Sequence, residues 1–451
     1  GEMDRVSPIP RVSLSAPSGF GLRISFGFRV SGFPPSPMTA PPPSRHNSSL
    51  HRFAVFTAVA TLGLIGIGGL VTSHGAGMAV PDWPNTYGYN MFFFPVSQWA
   101  GGIFYEHTHR LVASGVGLLT VVLALWLYGR NARPFMRWAG LSLLVAGGAT
   151  VAAMPRRWAD GLVLVLTGVA FLGASAVWPR CEPSAKWLRR LGLAAFFVVV
   201  LQGVLGGLRV VLFKDAIGIF HAALAQLFFV LICAIALFTS RWWQTQPTGI
   251  PSALNAQRST LFLLSTVLIL CQLTLGAAMR HQHAGLAIPD FPLAYGKLWP
   301  AMDASSVAHY NQQRIEIVAA KPITAVQIGL QMIHRLLAAA ILGAVAFATW
   351  STWRAVGGKV SLSRLAAVWL GLILTQVILG AATIWSNKAA DIATAHVLVG
   401  ALSLALGAIL SIVSGKELMY FYRVTDLSTD AKARPLAGLN PLPSGASGLT
   451  S

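Results

Sequence analysis

An all-α polytopic membrane protein, with two pseudo-symmetric four-helix transmembrane bundles and an inserted helical hairpin, is the fold class this sequence predicts. Three observations carry it. The 451 residues are 55% hydrophobic and only 10% charged, with mean hydropathy +0.63, whereas soluble domains carry roughly a quarter charged residues. Apolar windows repeatedly reach the roughly 20 residues needed to cross a bilayer. A set of motifs then recurs in the same order in both halves of the chain.

Residues 1–50 are rich in Pro, Ser, Gly and Arg without a long apolar core, and are expected to be a disordered leader. Gly1 in place of Met, and Met38 before a Pro-rich run, set the expectation that much of it comes from an over-long gene model. The spans expected are 52–73, 104–128, 136–154, 159–178, 187–211, 216–240, 258–280, 327–350, 362–385 and 391–414. Arg156, Arg157 and Asp160 between the third and fourth leave two readings open, two full spans or one broken hairpin. Either way the chain leaves on the side it entered. The domains expected are an N-terminal bundle over 51–245, with the hairpin inserted at about 136–178, a C-terminal bundle over 246–415, and a cytoplasmic tail over 416–451.

The net charge of +19 is not the footprint of a nucleic-acid-binding protein, because the basic residues are not gathered in one patch interleaved with aromatics. They fall between spans: Arg45 and Arg52, then Arg130, Arg133 and Arg137, then Arg180, Lys186, Arg189 and Arg190, then Arg241, Arg258, Arg354, Lys359 and Arg364. The positive-inside rule then puts both termini in the cytoplasm. The three cysteines, Cys181, Cys233 and Cys271, form no CxxC pair, which argues against a thiolate metal site or a disulfide.

The repeat has three parts. After the first span comes Gly75-Ala-Gly-Met-Ala-Val-Pro81-Asp82-Trp83-Pro84, then Tyr87-Gly88; after the seventh comes His283-Ala-Gly-Leu-Ala-Ile-Pro289-Asp290-Phe291-Pro292, then Tyr295-Gly296. The next span carries Glu106-His-Thr-His109-Arg110 in one half and Gln331-Met-Ile-His334-Arg335 in the other. Gln202-Gly-Val-Leu-Gly206 then leads to His221, as Gln376-Val-Ile-Leu-Gly380 leads to His396. A duplicated four-helix unit follows, and the hairpin has no counterpart in the second half.

Ionisable residues within spans are costly and are functional candidates by default. His109, His221, His334 and His396 fall at similar depth near the outer face. Imidazoles from two facing helices suit the axial positions of a haem iron, so two pairs suggest two haem pockets. Gly206, Gly207, Gly380, Ala381 and Ala382 would leave room for a flat macrocycle, or would only let helices pack closely. Arg110 and Arg335 are expected as haem propionate contacts or as snorkelling arginines. Glu106, whose equivalent is the neutral Gln331, lies one turn from His109 on the same face. It is expected to handle protons or stabilise positive charge on a substrate, or else to hold His107 or another polar group. The prolines and aspartates of the outer loops are explained by turn chemistry alone. His74, His281 and His283, at span ends, fit solvated or propionate-contacting roles better than iron ligation.

At these residues the sequence resembles the haem A synthase family, over nearly everything from Arg52 to about Gly415 apart from the hairpin. The resemblance implies oxidation of the C8 methyl of haem O to a formyl group, giving haem A, by successive hydroxylations through an alcohol and a diol that loses water. It implies a haem b cofactor ligated by His334 and His396, a haem O substrate site formed by His109 and His221, and Glu106 as the catalytic carboxylate. It also implies a haem O synthase as donor, cytochrome c oxidase assembly as acceptor of haem A, and a membrane electron acceptor; a homo-oligomer is left open. Because no clear Arg-rich amphipathic transit helix stands out in the leader, a bacterial cytoplasmic membrane is expected. Some members carry a cysteine pair in an external loop, which this sequence lacks. Two other readings stand beside this one: a non-enzymatic di-haem cytochrome exchanging electrons with quinone, and a proton-coupled transporter. Glu106 argues against the first, since a simple electron wire needs no such carboxylate. Parallel repeats without broken midplane helices argue against the second.

Overall fold

The computed structural model describes residues 47–245, 253–313 and 322–432. The expected leader up to position 46, and the tail beyond 432, lie outside the described residues. Residues 47–50 are no longer leader: the Asn47 side chain accepts from the Leu50 amide at 3.0 Å and starts the first helix, as an Asn N-cap does.

The helices are α1 Ser48–Ser73, α2 Gly101–Tyr128, α3 Ala132–Ala153, α4 Trp158–Val177, α5 Lys186–Leu212, α6 Asp215–Thr239, a short α7 Arg241–Thr245, α8 Ala253–His281, α9 Ala304–Gln312, α10 Ala325–Val356, α11 Ser361–Trp385 and α12 Ala390–Lys432. Among the described residues, nine continuous helical stretches are long and apolar enough to span a membrane, one of them being α2 and α3 run together over 101–153. These two part at Gly129, whose φ of +55° is easily reached by glycine alone. A side chain there would also strike the Cys181 carbonyl at 2.5 Å. The ten expected spans therefore correspond to ten long helices, and the protein is an all-helical, multi-pass membrane protein.

Helix packing follows the repeat. In the first half α1 packs on α2, α2 on α5, α5 on α6 and α6 on α1; in the second, α8 packs on α10, α10 on α11, α11 on α12 and α12 on α8. Each is a closed ring of four helices, in which α2 lies diagonally across from α6 and α10 across from α12. The rings meet through α1 with α12 and α6 with α8. Small residues permit that approach: a Cβ on Gly66 would touch Leu398, and one on Gly69 would touch Thr394 at 3.1 Å. Each ring has its own apolar core, one around Leu123, Ile232 and Ile235, the other around Phe262, Val345 and Trp369.

The insertion consists of two full-length helices rather than a broken hairpin. α3 and α4 pack chiefly on each other, through glycines seven residues apart on both: Gly140 against the Gly168 carbonyl and Gly147 against the Gly161 carbonyl, each leaving under 3 Å for a Cβ. Their outward faces, including Phe135, Trp138, Val145 and Val169, are exposed, as lipid-facing helices require. The tip is tied down: Asn90 Nδ2 donates to Asp160 Oδ1 at 2.8 Å, and the Phe93 and Trp158 rings lie 6.2 Å apart. The hairpin therefore reaches the loop that follows α1.

Two features depart from expectation. α9 was not foreseen, because Ala304–Gln312 is short, polar and without apolar periodicity. Its signal was local, since Asp303 caps it by accepting from the Ser306 amide. The Ser305 and Ser306 hydroxyls hold the Asp303 carboxyl well below the usual carboxylate range. α12 runs past the expected end at 414, to Lys432, because neither proline nor glycine interrupts residues 416–432.

Gly147→Leu is expected to separate α3 from α4, because the new side chain would meet the Gly161 carbonyl. Limited trypsin digestion checks this: cleavage after Arg156 and Arg157 should accelerate while the two four-helix rings resist as before.

Candidate functional site

The two loops at one end of the rings are the same object built twice. Asp82 accepts from the Tyr87 and Gly88 amides, both at 2.8 Å, and Asp290 accepts from the Tyr295 and Gly296 amides at 2.7 and 2.9 Å. Tyr87 donates to the Ala79 carbonyl at 2.5 Å, and Tyr295 to the Ala287 carbonyl at 2.5 Å. Both loops contain a cis peptide before the second proline, Trp83-Pro84 and Phe291-Pro292.

Helix residues pin each loop. Glu106, 4% exposed, accepts from the Val80 amide at 2.8 Å and from Arg110 Nη2 at 2.8 Å. Arg110 also donates to the carbonyls of Val80, Asp82 and Asn85 at 2.9, 2.7 and 2.9 Å. In the second loop the Ile288 amide donates to Gln331 Oε1 at 2.7 Å, Gln331 Nε2 reaches the Gly285 and Ile288 carbonyls at 3.3 Å, and Arg335 donates to Asp290 and Leu293 carbonyls at 2.7 and 2.8 Å. Arg110 and Arg335, expected at propionates, have their guanidinium NH2 groups committed to loop backbone. Glu106 and Gln331 do one structural job, but only the first half buries a carboxylate–guanidinium pair to do it. His107 is wholly buried, and its Nδ1 pairs with the Thr86 hydroxyl at 3.2 Å.

The four histidines occupy equivalent seats. His109 on α2 lies against Gly68 of α1, His221 on α6 against Gly206 of α5, His334 on α10 against Gly276 of α8, and His396 on α12 against Gly380 of α11. A Cβ at these glycines would come within 3.1, 3.4, 3.4 and 3.4 Å of the respective Cε1 atoms. Each ring is half-buried, with Nδ1 enclosed and without a hydrogen-bond partner. His109 is within charge-interaction range of His221, and His334 of His396. The two members of each pair stand on diagonally opposite helices of one ring.

Three histidines share a further contact. Gln202, Gln272 and Gln376 donate Nε2 to the backbone carbonyls of His221, His334 and His396 at 3.1, 2.9 and 2.8 Å. Each glutamine precedes its glycine by four residues, hence one helical turn. Gln272 and Gly276, and Gly68, escaped the sequence reading although the spacing Gln-x-x-x-Gly was visible. In α1 the glutamine is replaced by Leu64, which hid the fourth copy.

The arrangement suits a flat, axially ligated cofactor. Opposed imidazoles carry neutral nitrogen donors, the glycine beside each ring brings no side chain against it, and an enclosed unpaired Nδ1 is a cost that a structure keeps only for a reason. Among the described residues no three or more His, Cys, Asp or Glu side chains gather as a bare metal ion would require. Haem fits these seats, with one imidazole supplied from each side. His74 instead stacks on Tyr105, with ring centroids 4.2 Å apart.

Fold and site together define a multi-pass helical membrane protein with two histidine-paired bundles. Residues 154–408, more than half of the chain, match the cytochrome oxidase assembly protein family COX15-CtaA, and the chain belongs to that family. It is also similar to a protein named Heme A synthase from Rhizorhabdus wittichii, 25% identical over 377 residues that cover 80% of this chain and 93% of that protein.

Arg110→Ala is expected to leave the Glu106 carboxylate buried without its cation and to cost about 3–5 kcal/mol. Arg335→Ala strands no charge and should cost about 1–3 kcal/mol. Thermal or denaturant unfolding of the two variants in detergent checks the order.

Proposed function

We propose that the chain is a haem A synthase, which oxidises the C8 methyl of haem O to the formyl group of haem A. The observation that carries this reading is the doubled seat: two diagonal histidine pairs, each imidazole set against a glycine, within a family described as assembling cytochrome oxidase. The name of the Rhizorhabdus wittichii relative supports it.

On this reading His334 and His396 hold a haem b cofactor, while His109 and His221 form the site for haem O. A haem b held there would supply one-electron chemistry tuned by the residues that ligate its iron. The remaining work belongs to the chain. The histidines would hold the haem irons from facing helices of each bundle, and the loops over 75–88 and 283–296 cover that end of the rings. Glu106 sits one turn from His109, in the half assigned to the substrate. There it holds negative charge beside the reacting group and takes up protons released as the methyl carbon is oxidised. Its equivalent Gln331 pins the other loop without a charge, so the carboxylate is not needed for the clamp alone. Water supplies the formyl oxygen and a membrane electron acceptor takes the electrons, while a haem O synthase supplies the substrate and assembling cytochrome c oxidase receives the product. The membrane proposed is a bacterial cytoplasmic membrane, with both chain ends in the cytoplasm and the loops on the far side.

Purified protein should show a low-spin bis-imidazole haem spectrum, and His334→Ala or His396→Ala should abolish it; a folded, colourless wild type would refute the haem reading. Glu106→Gln places an amide where Gln331 shows that an amide can accept from the loop. It is therefore expected to preserve the fold and the second-bundle haem while blocking haem A formation. Co-expression with a source of haem O, followed by chromatography of extracted haems, measures this. Haem O left unconverted by a wild type carrying both haems would mark an electron carrier rather than an enzyme.

A further inference from the structure

The loop end of the first histidine pair carries positive groups that have no equivalents in the second. Arg209 lies one turn beyond Gly206 on α5, on the same face as the glycine that seats His221. Its guanidinium is wedged between the loop and α6: Nη1 is 2.8 Å from where a Cβ on Gly77 would stand, and Nε is 3.0 Å from one on Gly218. Gly218 lies one turn before His221 on α6. From the end of α8, the His281 ring closes on the same Gly218, with Cε1 at 2.5 Å from the Cβ position. His281 is brought there because its neighbour Arg280 crosses to the first bundle and donates to the Gly69 carbonyl at 2.6 Å and to the Ser73 hydroxyl.

Arg209 is within charge-interaction range of His109 and His221, and of Glu106 and Asp215. Yet among the described residues it has neither an ion pair nor a hydrogen bond. The three ion pairs found are Arg110–Glu106, Arg130–Glu182 and Arg157–Asp160, so Glu106 is already committed. At the corresponding places in the second half stand Thr383 for Arg209, Ala393 for Gly218, and no second copy of Arg280 or His281, since α1 ends in Thr72 and Ser73. A half-buried guanidinium without a partner, held in a gap that two glycines create, is an anion receptor.

We infer that Arg209, flanked by His281, binds the carboxylates of the ligand held by His109 and His221, so that the first site selects a tetrapyrrole bearing free propionates. This rests on the haem reading above and adds to it the group that reads the acid edge. It moves that role from Arg110, whose Nη1 and Nη2 serve the loop carbonyls and Glu106, to a residue on another helix. No step of the oxidation depends on it; Arg209 is a binding and positioning residue.

The test is an absorbance titration of the purified full-length protein with ferric protohaem and with protohaem dimethyl ester, which lacks the acid groups. The binding phase lost in His109→Ala identifies the first site. Wild type should bind the acid at that site about tenfold or more tightly than the ester. Arg209→Met should remove the preference by weakening acid binding alone, while Arg209→Lys retains part of it. Equal binding of acid and ester by wild type, or an unchanged preference in Arg209→Met, would overturn the inference while leaving the haem reading intact. The absence of any phase that depends on His109 would overturn both.

Discussion

An imidazole stands most easily inside a packed helical ring where the neighbouring helix offers no side chain. That steric condition is met four times, at Gly68, Gly206, Gly276 and Gly380, and the rest of the architecture is arranged around it. A Cβ at Gly68 would press on its ring at 3.1 Å, whereas one at Gly206, Gly276 or Gly380 would meet its ring at ordinary contact, 3.4 Å. Because glycine has little helix propensity, these positions persist for what they admit rather than for what they stabilise. Helices that carry a histidine alternate around each ring with helices that carry the glycine. The basic unit is therefore a pair of helices, repeated four times, and the two halves are a pair of pairs.

The loops show how one geometry tolerates two chemistries. The carboxylate of Glu106 needs Arg110 to complete the hydrogen bonds that the amide of Gln331 makes by itself, since an amide both donates and accepts. The first half thus contains a buried ion pair where the second has a neutral contact. A buried pair of this kind is weak evidence for stability, because desolvation offsets much of the attraction. Its retention at the half assigned to substrate is more economically explained by charge than by packing.

Much of this was legible in the residues. Ten apolar runs gave ten helices because a backbone in lipid has few alternatives to satisfying its own hydrogen bonds, and the two copies of the Pro-Asp-aromatic-Pro stretch fold alike to the level of individual amides. The histidines could be paired because both halves keep them in the same order. What escaped was set by contacts between helices distant in sequence. Nothing near Arg110 announces that its NH2 groups are used up by a loop some 25–30 residues earlier, and Arg209 stands out only once Gly77 and Gly218 are seen to make room for it. Gly68 and Gly276 went unread because each shows its purpose only beside a histidine on the neighbouring helix. α9 was missed for a different reason: it is a polar helix held by its cap, by Asn311 hydrogen-bonded to the Ile323 backbone and by Tyr310 stacked on Tyr295, with ring centroids 3.6 Å apart.

Leu64 gives the fourfold pattern its one break. Where three helix pairs are latched by a glutamine amide on the histidine carbonyl, the pair formed by α1 and α2 has Leu64 in the glutamine's place. What ties α2 to this end of α1 is instead the clamp of Glu106 and Arg110 on the loop between them, close beside His109 in the chain. His109 is thus placed through a loop, and the other three imidazoles each through a bond to their own backbone carbonyl.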